Sequence, residues 1–306
     1  MAIVEAQCDV TVERAGRLDR IVQELTSRSR ADVRGLFDRG CVLLNGVPCA
    51  EPGTPVQAGD AVLVRHDPHV RYRERPRKRE HAAFRLVYED EWLIVVDKSA
   101  AVLTVPTRRG ESNTLLDAVC KHLIRHSRKA RAAVVHRLDR GTSGLLVFGK
   151  SPHMARELQA QFRVRKARRE YAAIVAGALT QPTGTFSSRL ATTKSLQRYS
   201  VRKGERGELA VTHYRVEHPL QGATYVRVWL ETGRRNQIRV HFAEAGHPVL
   251  GDERYRSELA RHRGWTARRL ALHAAVLGFE HPRTHEELRF ESPLPAEFER
   301  FLAGQQ

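Results

Sequence analysis

Apolar positions along this chain recur with two periods, and the alternation between them divides it into segments. Leu18, Ile21, Val22 and Leu25 stand at i, i+3, i+4 and i+7 and predict an amphipathic helix over residues 17–25. Ser29 supplies an N-cap and Asp32 a first-turn carboxylate for a second helix. That helix buries Val33, Leu36 and Phe37 and stops at Gly40. A short strand at 41–44, an Asn45-Gly46 turn and a Gly59-Asp60 turn before 61–64 complete a small N-terminal unit, 1–66. Residues 67–83 carry almost no apolar side chains and read as a basic linker.

The remainder, 84–306, alternates strand and helix signals. Residues 86–88 and 92–96 are strands around an acidic turn, and a helix begins at Thr114. The apolar run Leu145–Phe148 predicts a buried strand. Ser151-Pro152 opens a helix whose Met154, Leu158 and Phe162 form a core stripe. Alternation through Tyr171, Ala173 and Val175 places the tyrosine on one face of a strand. Residues 184–207 read as a hairpin or loop insert, and 210–216 and 224–230 as strands. Ile238, His241, Phe242 and Ala245 share a helical face that Gly246 and Pro248 terminate. No period of repeat length recurs, which excludes a solenoid.

Charge narrows the function. Lys plus Arg number 52 against 35 Asp plus Glu, a formal net charge of +17. Such an excess points to a polyanionic partner, nucleic acid before anionic membrane. No apolar run approaches the roughly 20 residues of a spanning helix. Cys8, Cys41, Cys49 and Cys120 form no CxxC pair and no zinc-spaced cluster, as expected of reduced thiols. The first residues are acidic and lack a signal-peptide pattern, so a cytoplasmic location is expected.

The most informative stretch is 134–152, where Asp139 lies between Arg137 and Arg140 in a turn closed by Gly141 and Gly144. Most lone loop aspartates form turns. This one adjoins a core strand and sits among cations, a setting for a carboxylate kept ionised in a pocket. Three other chemistries fit poorly. Gly141-Thr142-Ser143-Gly144 is one residue short of a hydrolase elbow. His136, His241 and His247 lack the i,i+4 pairing of a zinc site. No dinucleotide fingerprint or Walker loop is present.

His136-Arg137-Leu138-Asp139-Arg140-Gly141-Thr142-Ser143-Gly144-Leu145 resembles the signature of the RluA-type pseudouridine synthases. Gly246–Asp252, Leu272-His273-Ala274 and Ser292–Pro295 resemble further family segments, so the resemblance covers 84–300. Arg17-Leu18-Asp19, Ser29-Arg30, Gly40–Gly46 and Gly59-Asp60 are similar to the alpha-L RNA-binding module. The resemblance implies an α+β fold: a mixed, largely antiparallel sheet with flanking helices, plus a small N-terminal α/β module. It implies cofactor-free isomerisation of uridine in RNA, with large-subunit ribosomal RNA the expected substrate. Asp139 is then the catalytic carboxylate, acting as nucleophile or base, Arg239 the cation that keeps it ionised, and Tyr171 a wall for the detached uracil. Arg137 either fills the space left by the flipped base or contacts a phosphate. Arg140, Lys166, Arg168 and Arg169 are expected RNA contacts, as are Arg28, Arg30, Arg34 and Arg39 on the solvent face of the second helix. The family usually has Pro, Gly and His where this chain has Ser99, Ala101 and Asn236. A non-catalytic RNA-binding protein is the competing reading, and Asp139 discriminates, because a pure binder gains nothing from a carboxylate facing phosphates.

Overall fold

The computed structural model describes residues 6–67, 72, 83–107, 110–125, 131–202 and 204–304. The chain divides into two compact units, Met1–His81 and Ala82–Gln306.

In the first unit, helices Leu18–Thr26 and Arg30–Asp38 form where the period-3.6 pattern places them. Ser29 accepts from Asp32 N as the expected cap. Leu18, Val22, Val33, Leu36 and Phe37 pack against Val42, Val62 and Val64 of a four-stranded sheet. Asn45 and Gly46 both have positive φ, which a tight hairpin turn requires. The Asn45 side chain then bonds Asp60 and Ala61 N across the sheet. The edge strand Ala6–Thr11 has no counterpart in the sequence pattern; it is mostly exposed, so no burial period marks it. One expectation needs correction. Arg30, Arg34 and Arg39 are exposed, but Arg28 precedes the helix and is half-buried. Its guanidinium donates to Asp67 O and lies 5.3 Å from the centre of the Tyr72 ring. Of the expected linker 67–83, all but Asp67, Tyr72 and Ala83 lie outside the described residues.

The second unit is built on an eleven-stranded sheet. Its centre runs Ala223–Leu230, Arg168–Ala176, Leu272–Glu280, Ser143–Gly149, Leu93–Lys98, Phe84–Glu89. All of these neighbours are antiparallel except Ser143–Gly149 with Leu272–Glu280, which pair in parallel through Ser143–His273 and Gly144–Ala274. The strand Ser143–Gly149 is buried throughout because the sheet is covered on both faces. Leu145 and Val147 enter one apolar cluster with Leu158 and Phe279, while Leu146 and Phe148 enter another with Val119 and Phe242. Gly144 has φ +112, and a Cβ there would lie 2.2 Å from Ala274 O. Only glycine lets the two backbones approach at this parallel start. The segment expected as a hairpin or loop insert, 184–207, is a hairpin: strands Thr183–Thr192 and Arg198–Ser200 pair antiparallel and extend the sheet. Helix Leu115–Ile124 opens with a Thr114–Asp117 capping box, and Pro152–Arg163 opens on Ser151. Helix Gln237–Glu244 ends at Gly246, whose φ is +86. No helix among the described residues is long and apolar enough to cross a membrane.

Candidate active site

Asp139 lies in the loop that feeds the buried strand, and distant segments hold that loop. Thr142 N donates to Asp139 O at 3.1 Å, closing the turn. Thr104 Oγ1 donates to Leu138 O (2.8 Å) and accepts from Leu138 N (3.2 Å), pinning both peptide groups of the preceding residue. Arg140 Nε donates to Ala101 O, and Lys98 Nζ reaches Arg140 O and Ser99 O. Lys98 is 1 % exposed. Burial, assisted by Arg269 and opposed by Asp139, pulls its ammonium pKa down to about 7. Ala101 keeps a left-handed φ of +68, a conformation suited to the glycine that stands there in the resembled pattern.

Arg239 comes from helix Gln237–Glu244 and is divided between two carboxylates. Its Nη1 donates to Asp139 Oδ2 at 3.2 Å. Its Nε and Nη2 donate side-on to Asp252, at 2.7 and 2.8 Å. Asp252 is wholly buried and also accepts from Arg254 N and Tyr255 N. The family resemblance pairs Arg239 with Asp139, and that contact is present; the two-pronged contact goes to Asp252 in addition. Burial works against the cation, yet the Asp252 bonds and the two carboxylate fields outweigh it and raise its pKa. The guanidinium also stacks 5.0 Å from the centre of the Tyr255 ring. Asn236, at the helix N-cap with φ +56, accepts from Arg239 Nη1 and donates to Tyr255 OH at 2.9 Å. Asparagine is well suited to this left-handed position.

Tyr171 and Asp139 line the same cavity, about 80 Å³, with Leu230, Ile238 and Leu272 as its apolar side. Tyr171 is 6 % exposed, and burial raises its phenol pKa, so it stays protonated. Its hydroxyl has no hydrogen bond among the described residues. Arg137 is exposed and lines this cavity, whereas Arg140 lines a neighbouring cleft of about 970 Å³ with Arg254, Arg261 and Arg268. Lys166 and Arg168 are exposed as expected of RNA contacts, but Arg169 is buried.

Residues 92–244 match the sequence profile of the RNA pseudouridylate synthase family. The chain belongs to this family. Ribosomal large subunit pseudouridine synthase D of Vibrio cholerae is 35 % identical over 289 residues, 91 % of this chain and 88 % of that protein. The enzymes of the same name from Zymomonas mobilis and Pseudomonas aeruginosa are 34 % and 33 % identical, over 96 % and 97 % of this chain and 95 % and 94 % of theirs. Human RNA pseudouridylate synthase domain containing 4 shares the fold with a TM-score of 0.59, at 23 % identity over 71 % of this chain and 91 % of that one.

Within this member of the pseudouridylate synthase family, His136, His241 and His247 have separate partners. His136 accepts from Val147 N and stacks on Phe162, His241 bonds Thr212 and Ser188, and His247 bonds Ala176 O. Burial holds His136 neutral, with its pKa near 3, and the Arg169 charge adds to this. Sequence reasoning missed Asp252 and Thr104. A motif match covered Asp252 without giving it a task, and nothing local distinguishes Thr104 in its apolar run.

Proposed function

We propose that this protein converts uridine to pseudouridine in large-subunit ribosomal RNA in the cytoplasm, with Asp139 as the reacting carboxylate. The C1′–N1 bond breaks, the uracil turns, and C5 bonds to C1′; the C5 proton is lost and N1 takes one up, so the product is an isomer. The carrying observation is Asp139 set on the edge of an arginine whose other edge is satisfied by Asp252. The carboxylate thus has one oriented oxygen, and its Oδ1 has no hydrogen bond among the described residues. That leaves Asp139 able to approach the sugar, either as nucleophile or as base. The cavity, about 80 Å³, is of the order of one flipped pyrimidine. Tyr171, Leu230 and Ile238 give the detached base an apolar wall. The names of the bacterial relatives support the ribosomal substrate.

The test is Asp139→Asn with large-subunit RNA tritiated at uracil C5. Affinity should stay within a few fold while tritium release disappears. Release within tenfold of wild type, about 1.4 kcal/mol of barrier, would show that the carboxylate is not the catalyst. Chemical-adduct mapping of pseudouridine in cells with and without the protein identifies the uridine.

A further inference from the structure

Arg169 is 8 % exposed. Among the described residues no group accepts a hydrogen bond from its guanidinium, and its Nε is buried without a partner. Other arginines of low exposure differ. Arg239 has two carboxylates, Arg198 has Thr192 and Glu208, and Arg269 has Ser143 and two carbonyls. The neighbouring carboxylate, Glu170, is engaged by Arg168 and Arg227. Apart from the Phe162 ring, 5.2 Å from its Cζ, Arg169 therefore has no counter-charge among the described residues. A guanidinium buried without an anion is costly, and burial lowers its pKa.

Its position suggests where the missing anion comes from. Arg169 lines a cleft of about 550 Å³ whose exposed cations include Lys166 and Arg168. Its Nη1 also presses against Gly233, where an added Cβ would lie 2.4 Å away. Gly233 lines the Asp139–Tyr171 cavity, and Leu230 lines both spaces. The guanidinium thus stands at the partition between a base-sized cavity and a basic cleft. We propose that Arg169 is the binding site for a backbone phosphodiester of the RNA, next to the uridine whose base enters the cavity. The planar fork of arginine suits two phosphate oxygens, and Gly233 is glycine so that the fork can reach them. This rests on the pseudouridine synthase reading above. Unlike the exposed cations, whose phosphate contacts are exchangeable, this one fixes the strand relative to Asp139.

The experiment couples the residue to single phosphates. A ribosomal stem–loop containing the converted uridine is made with one neutral methylphosphonate at a time on either side of it. Full-length wild type, Arg169→Met, Arg169→Lys and Gly233→Ala are compared in single-turnover conversion and in Kd. Wild type should lose about 10- to 100-fold in half-saturating concentration at one position. Arg169→Met should show that loss with native RNA and no further loss at that position, while other positions still harm both proteins. Arg169→Lys should recover part, and Gly233→Ala should mimic a weaker Arg169→Met. Thermal melting identifies any variant that fails to fold; the milder Arg169→Lys and Gly233→Ala then carry the coupling. If Arg169→Met binds native RNA as wild type does, or if its cost adds in full to every methylphosphonate, the residue is only a packing cation on Phe162. The same scan on a short oligouridine, read by Kd alone, decides the phosphate site even if wild type converts no ribosomal uridine. That last outcome would overturn the functional reading instead.

Discussion

Asp252→Asn and Asp139→Asn make the same chemical change to the two carboxylates on Arg239, and the structure predicts opposite consequences. Asp252 is wholly buried and accepts four hydrogen bonds, two from the guanidinium and two from backbone amides. An asparagine oxygen in place of Oδ1 can keep the backbone bonds and Nη2. Its amide nitrogen then meets Nε donor to donor, and a buried charge pair becomes a lone cation facing only Asp139. Breaking a buried pair costs about 3–5 kcal/mol. With Asp139 still present, about 3 kcal/mol is expected. Asp139 contributes one bond at 3.2 Å from a side chain 19 % exposed, and its removal leaves Arg239 fully bonded to Asp252. About 0–1 kcal/mol is expected there.

For a unit of this size 1 kcal/mol corresponds to about 2–4 °C. Calorimetric melting should therefore show a drop of about 6–12 °C for Asp252→Asn and less than about 4 °C for Asp139→Asn. Single-turnover conversion should be abolished by Asp139→Asn and reduced, about tenfold or more, by Asp252→Asn through the misplaced arginine. A melting point for Asp252→Asn within about 2 °C of wild type, or equal destabilisation by both substitutions, would refute the view that Asp252 anchors Arg239.

Ala101→Gly relieves a left-handed alanine and should raise stability by up to about 1 kcal/mol, read as a higher urea midpoint; an unchanged or lower midpoint would mean that φ +68 carries no strain here. His241 is neutral in the fold, burial pulling its pKa from 6.5 down to about 4 despite Glu244. Because the unfolded chain binds the proton first, this stability is fully present above pH 6.5 and declines as pH falls toward 4. His241→Gln should therefore flatten the stability–pH slope between about pH 4.5 and 6, by up to about 1.4 kcal/mol per unit; superimposable slopes from urea titrations would sink the assignment. Arg30→Gln with Arg34→Gln should reduce the salt dependence of RNA binding by about 0.7–0.9 for each phosphate that the two arginines neutralise. An unchanged slope in filter binding would remove both from the RNA interface.

The parts of this molecule that were legible in its sequence are those whose cause is local. The run Leu145–Phe148 announced a strand buried on both faces because no polar residue interrupts it. Ser29, Thr114 and Ser151 announced helix starts because a cap acts within three residues. Asp139 stood out because its neighbours are cations and a core strand. What was not legible is the choice of partner across long separations. The family resemblance gave Arg239 one carboxylate, Asp139, but could not count carboxylates. A guanidinium has two edges, and Asp252 takes the side-on one. Arg169 is a second case. The charge run grouped it with Lys166 and Arg168, and nothing local marks where the strand Arg168–Ala176 goes under cover: from Arg169 on every residue is buried, Glu170 included.

The sharing of Arg239 and the isolation of Arg169 bear on the same chemistry. On the proposed reading, a carboxylate locked two-pronged to its arginine would have both oxygens occupied. The division of Arg239 between Asp252 and Asp139 avoids that, orienting Asp139 through one oxygen. Phosphate contact then falls to cations outside the trio. Arg137, Arg234 and Arg235 line the same cavity as Asp139. Arg169, across Gly233 and with no carboxylate of its own among the described residues, stands beside it.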